Sequence, residues 1–144
     1  MSLVKGKIGM SGQERQIIGL QHVQIEAPIA CEVAARAFYG TLLGLTELVK
    51  PAQLLGRGGI WFACGAQQLH IGVVTDFVPR HKGHPALEVV GLAAWRVYLV
   101  AAGVHVSDDE PLPGWQRLYI TDPWGNRIEL LEHEPEAAAN QSEA

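Results

Sequence analysis

The sequence predicts an α+β domain built from two βαβββ modules that form one curved, mixed β-sheet with its helices outside. Three observations lead there. First, strands and helices alternate in the same order in both halves of the 144-residue chain. Second, the polar residues able to bind a metal fall at matching places in the two halves. Third, a strand–turn–strand stretch near the end, Arg117 to Leu130, fixes which residues stand opposite one another.

Composition bounds the answer. Hydrophobic residues make up 48% of the chain and charged residues 18%, which suits one globular domain with a core. A net charge of −4 gives no basis for nucleic acid or an anionic membrane as partner. Residues 1–16 are polar and glycine-spotted and are expected to be a disordered leader. Residues 134–144, acidic and alanine-rich, are expected to be a disordered tail. Cys31 and Cys64 make no disulfide framework and read as small core residues, so a cytoplasmic setting is the default.

The first module covers 17–76. Residues 17–26 read as a strand, with Val23 and Ile25 on one side and His22, Gln24 and Glu26 on the other, ended by Pro28. Residues 30–43 read as a helix with Val33, Ala37, Phe38 and Leu42 at helix spacing, and Gly44 as its cap. Strands follow at 45–49, 60–63 and 68–74, the last two joined by a turn at Gly65-Ala66. Residues 76–83 read as a linker.

The second module, 84–133, repeats the order. A strand at 84–90 carries His84. A helix at 91–102 carries Leu92, Trp95 and Leu99 on one face, with Gly103 as its cap. A short strand at 104–107 precedes the hairpin. There Pro123 suits position i+1 of a type I turn and Gly125 the left-handed residue after it, so Asp122 should face Asn126 and Tyr119 should face Glu129.

Matching the modules pairs His22 with His84, His70 with Glu129, and Trp61 with Tyr119. Strand parity puts His22, His70, His84 and Glu129 opposite the more apolar side of their strands, on the helix-free face. A curved sheet would gather them in one hollow. A lone strand histidine is more often a hydrogen-bonded structural residue than a ligand; the joint placement is what raises the odds. Imidazole and carboxylate donors suit iron, nickel, manganese or zinc, and two His with one Glu is the composition of non-haem iron facial triads. Tyr119 is the candidate acid/base or substrate-binding phenol. His81, His105 and His133 read as exposed, and Asp108-Asp109-Glu110 as a solvated loop.

These residues also carry a resemblance. Leu-Gln-His-Val-Gln-Ile, Ala-Phe-Tyr-Gly-Thr-Leu-Leu-Gly-Leu (37–45), His-Pro-Ala-Leu-Glu-Val (84–89) and Tyr-Ile-Thr-Asp-Pro-Trp-Gly-Asn-Arg-Ile-Glu resemble the vicinal oxygen chelate superfamily. That group holds glyoxalase I, fosfomycin-resistance thiol transferases, extradiol dioxygenases and bleomycin-resistance proteins. The likeness covers residues 17–133 and implies the glyoxalase/bleomycin resistance/dioxygenase fold. It implies that His22, His84 and Glu129 bind a divalent metal, that His70 sits at a further ligand position or acts as a base, and that Tyr119 lies near the metal. It further implies a small oxygenated substrate held by two oxygens, and a homodimer, since glyoxalase I builds its site across two subunits. A non-catalytic small-molecule binding protein on the same fold is the alternative.

Departures narrow the choice. Glu26 stands where glyoxalase I commonly has an arginine for glutathione. Glu132, Glu134 and Glu136 stand where thiol transferases carry basic residues, which speaks against an anionic antibiotic. Gln68-Leu69 replace a His pair of the extradiol enzymes.

Overall fold

The computed structural model describes residues 14–135, so most of the expected leader and tail lies outside the described residues. The first module contains β1 (His22–Ala27), α1 (Glu32–Ala35, running on as a π-helical stretch Arg36–Leu42), β2 (Thr46–Leu48), a 3₁₀ turn (Ala52–Arg57), β3 (Ile60–Cys64) and β4 (Gln67–Val73). The second contains β5 (Ala86–Glu88), α2 (Leu92–Ala101), β6 (Val106–Ser107), β7 (Trp115–Thr121) and β8 (Arg127–His133). Both modules have the expected βαβββ order, and the class is α+β. The hydrogen-bonded ladder is continuous only within a module: two four-stranded sheets form, ordered β1-β4-β3-β2 and β5-β8-β7-β6. In each, the first strand runs parallel to the last and the remaining pairs are antiparallel.

The strands are shorter than their apolar runs suggest because a strand lasts only as long as its partner. β1 starts at His22 opposite Gln68, next to the start of β4, and the last bond between the two strands runs from Gln68 N to the Gln21 carbonyl, so residues 17–20 have no ladder to join. Ile17, Ile18 and Leu20 are left exposed. β5 is trimmed at its front by Pro85, which has no N–H to give, although the Pro85 carbonyl still accepts from Glu129 N.

The first helix also departs from its expected face. Val33 is 79% exposed and Ala37 is exposed, while Cys31, Ala35, Phe38, Tyr39 and Leu43 are buried. The π-helical stretch widens the turn: Leu43 N donates to Phe38 O, a step of five residues. That shifts the inward stripe away from a plain 3.6 period. In α2 the expectation holds, with Leu92 and Leu99 buried and Trp95 packed against the core.

The β7–β8 hairpin turns as predicted. Gly125 takes φ 96°, Gly125 N donates to Asp122 O at 3.1 Å, and Asp122 Oδ1 accepts from Trp124 N and Asn126 N. The same turn fastens the modules together. Tyr39 O–H donates to Asp122 Oδ2 at 2.8 Å, and Asn126 Nδ2 donates to the Glu26 carbonyl at 2.8 Å. Asp122 and Asn126 are buried, so these bonds lie out of water and are costly to break. Burial beside the Asp122 carboxylate pushes the Tyr39 phenol far above its usual range, which keeps it a donor. The 76–83 linker docks on the turn, with Arg80 O accepting from Arg127 N.

Candidate functional site

Sheet register places the chemistry. In the first module His70 lies opposite Trp61 on β3 and Gln24 on β1, with His22 two residues before Gln24. In the second, Glu129 lies opposite Tyr119 on β7 and Ala86 on β5, with His84 two residues before Ala86. Opposed residues share a face. The two constellations therefore occupy identical positions of one repeated sheet, as the sequence predicts.

Within the chain the four candidate ligands come together as two pairs. The His22 and His70 rings stack at 4.2 Å between centroids, and Trp61 stacks on the other side of His70 at 4.0 Å. Gln21 Oε1 accepts from Nδ1 of His22, and Gln68 Oε1 from Nε2 of His70 at 2.9 Å, which leaves the second nitrogen of each ring with its lone pair. His70 is buried, and that burial, helped by His22 and Lys50, lowers its pKa and favours the neutral ring.

The second pair is His84 and Glu129, with His84 Nε2 at 3.1 Å from Glu129 Oε2. His84 Nδ1 faces two carbonyl oxygens, those of Lys82 (3.0 Å) and His81 (3.2 Å), so it carries the hydrogen. Nε2 is then the atom that faces the carboxylate, and the contact is held either by a proton on Nε2, as an ion pair, or by a cation between the two. A backbone carbonyl holding one imidazole nitrogen while the other points at the ion is how metal-binding histidines are usually oriented. His84 and Glu129 thus present donors of the kind a divalent metal takes, whereas His22 and His70, stacked nearly parallel at 13°, hold their in-plane lone pairs side by side and would have to turn to share an ion. No group of three or more His, Cys, Asp or Glu residues converges within the described residues.

Tyr119 stands where the register argument puts it, buried beside Glu129 and edge-on to His84 at 5.3 Å. Its pKa is raised, chiefly by desolvation and against the pull of Arg117, so the O–H stays on at neutral pH. Arg117 is a site residue that strand alternation alone did not single out. Its Nη1 donates to Tyr119 Oη at 3.0 Å and to Glu129 Oε1 at 3.2 Å, while Nε and Nη2 donate to the Glu110 carbonyl. The available signal was parity: Arg117 lies two residues before Tyr119 and so on its face. Arg127, two residues before Glu129, lies over the Tyr119 ring with its guanidinium 4.5 Å from the centroid.

His81, His105 and His133 are exposed, as expected. His133 covers the Trp115 ring at 3.6 Å. Asp108 is taken by an ion pair with Arg96. Two apolar cavities lie elsewhere, lined by residues of both modules. One of about 440 Å³ is lined by Leu42, Leu43, Val90, Trp95 and Tyr98; another of about 380 Å³ is lined by Leu45, Cys64, Leu87, Val89 and Leu130. Neither touches a candidate ligand. No helix among the described residues is long and apolar enough to cross a membrane.

Comparison with known proteins gives the same picture at the level of family and fold. A model of the Glyoxalase/Bleomycin resistance protein/Dioxygenase superfamily matches residues 33–130. A glyoxalase family protein from Bacillus anthracis is similar at 44% identity and TM-score 0.80, over 85% of this chain and 100% of that one. A lactoylglutathione lyase from Agrobacterium tumefaciens is similar at 25% identity and TM-score 0.62, over 82% and 96% of the two chains. An antibiotic binding protein, TnmS3 from Streptomyces sp. CB03234, shares the fold at 21% identity and TM-score 0.62, over 84% and 100%. A search of curated proteins returns no match.

Proposed function

The chain belongs to the Glyoxalase/Bleomycin resistance protein/Dioxygenase superfamily, and from that membership we propose that it is a divalent-metal enzyme acting on a small oxygenated molecule. The observation that carries the reading is the matched register of the two donor pairs, His22 with His70 and His84 with Glu129. Iron, nickel, manganese and zinc all accept this nitrogen and oxygen donor set. Once bound, the ion would supply Lewis-acid stabilisation of negative charge developing on two neighbouring substrate oxygens. The other roles fall to the chain. Arg117 holds one oxygen of Glu129 and leaves Oε2 free to ligate. Tyr119, protonated at neutral pH, donates a proton or hydrogen bond to the substrate. His70, neutral and shielded by Trp61, is a fourth ligand or the base.

The half-sites of one chain would be completed by those of a second copy. Support comes from β1, an edge strand that carries His22 and is led by the exposed Ile17, Ile18 and Leu20. An unpaired edge flanked by exposed apolar side chains is a ready-made pairing surface.

The test is elemental analysis of untagged protein, joined to an assay on catechols, hemithioacetals and hydroxy-ketones. About one equivalent of metal per chain is expected, lost in Glu129→Ala, with a rate above the metal-stripped control for one substrate class. Protein that is metal-free after exposure to each ion, and inert on the whole panel, sinks the reading. The two apolar cavities, remote from the donor pairs, favour a second one: a non-catalytic protein that binds or sequesters a small molecule. Ligand capture that survives both His22→Ala and Glu129→Ala is its signature.

A further inference from the structure

We propose that Arg127 is a recognition group for a substrate carboxylate, so that the molecule acted on is a small organic anion carrying its charge beyond its two metal-facing oxygens. This rests on the metal-enzyme reading above and adds a substrate class to it. Arg127 opens β8 and shares a face with Glu129, since residues two apart on a strand point the same way, about 7 Å apart. Its guanidinium carbon lies 4.5 Å from the centroid of the Tyr119 ring, which anchors it over that ring. Among the described residues it forms no side-chain hydrogen bond and no ion pair. Its neighbour Arg117 differs: Nε, Nη1 and Nη2 all donate to Glu110, Tyr119 or Glu129, and the Asp109 carboxylate pairs with it at 4.0 Å. One arginine of the face is thus committed to the protein; the other is held by its ring, feels the Asp109 carboxylate only through space, and keeps its hydrogen-bond donors. A planar fork with free donors next to a ligand carboxylate suits a bidentate carboxylate.

Glu132, the first carboxylate after Glu129, does not oppose an anion here. Glu132 has the other strand parity, and its carboxylate accepts from Gly91 N at 2.8 Å and Leu92 N at 3.0 Å, at the start of α2. Its charge is spent on the helix side of the sheet.

The test compares catechol with 3,4-dihydroxybenzoate, which offers the same two oxygens plus a carboxylate on the far side of a small ring. Binding to nickel-loaded protein is measured by calorimetry. In the wild type the carboxylate should tighten binding by about tenfold, with the gain shrinking in high salt. In Arg127→Gln the carboxylate gain should vanish, so that the two probes bind alike. In Arg127→Lys part of the gain should survive. Catechol binding and the melting transition report any loss of fold. The proposal is overturned if the wild type shows no carboxylate preference, if the preference persists in Arg127→Gln, or if both probes weaken together there. Chelation of the metal separates the two readings. If catechol binds metal-stripped protein as tightly as loaded protein while the carboxylate gain still depends on Arg127, the metal reading fails and the Arg127 assignment stands.

Discussion

Arg117 controls how Glu129 is presented. Its Nη1 engages Glu129 Oε1 and the Tyr119 hydroxyl together, and the carboxylate beside it raises the pKa of the guanidinium. With one oxygen pinned, Glu129 is left to ligate through the other, towards His84. Groups that orient ligands in this way are commonly worth 10–100-fold in metal affinity, about 1.4–2.7 kcal/mol. Arg117→Met, which keeps much of the apolar stem, should therefore weaken divalent-metal affinity within that range, and it should also lower the melting temperature of the apo protein because the buried Glu129 carboxylate loses its partner. Competition against a chromogenic chelator measures it; an unaltered affinity would remove Arg117 from the site. The pairing of Tyr119 with Glu129 was legible beforehand because turn chemistry sets register and register sets neighbours. Arg117 was harder. Parity gives the face a long side chain leaves from, but not whether its end folds back along the strand or reaches a loop, and Arg117 does both.

At the scale of elements, the legible parts were those governed by a local period, and the missed parts those governed by a partner. The inward face of α2 follows from Leu92 and Leu99, both buried. The face of the first helix does not follow from Val33 and Ala37, because the π-helical stretch breaks the period. The 3₁₀ turn Ala52–Arg57 passes unseen because one such turn has too few residues to show a pattern. The start of α2 illustrates long-range control. Its N-cap is Gly91, which has no side chain to offer, and Glu132 from β8 caps the helix in its place. Those two backbone donors lower the Glu132 pKa below the usual carboxylate range. A carboxyl lowered in the folded state stabilises fully above its unfolded pKa, about 4.3, and that contribution disappears as pH falls through the folded value. Glu132→Gln should accordingly lower the melting temperature at pH 7 and have less effect near pH 3, so the two stability curves converge in acid. Parallel curves by calorimetry from pH 3 to pH 7 would show that Glu132 does not carry this part of the acid sensitivity.

For the whole molecule, the repeat explains both what the chain completes alone and what it leaves open. One bolt between the modules, Tyr39 to Asp122 and Asn126 to the Glu26 carbonyl, is satisfied and buried, so the modules of one chain are joined through the β7–β8 turn. The donor-bearing faces are not joined in that way: His22 is exposed, and residues 17–20 ahead of it belong to no strand, with Ile18 93% exposed. The sequence reading of one hollow holding all four ligands used strand parity, which is a property of each sheet. Parity cannot say whether two sheets face each other within a chain or between chains. If a second copy brings a His22–His70 half against a His84–Glu129 half, assembly and metal content must fail together. Ile18→Asp puts a charge on the exposed strip without touching a ligand or the buried bolt. It should turn a dimer into a monomer by light scattering, reduce bound metal from about one equivalent per chain to a small fraction of that, and leave the folded signal in circular dichroism. A monomeric variant that still binds a full equivalent would place the site inside one chain. A wild-type protein that is itself monomeric and metal-loaded would do the same.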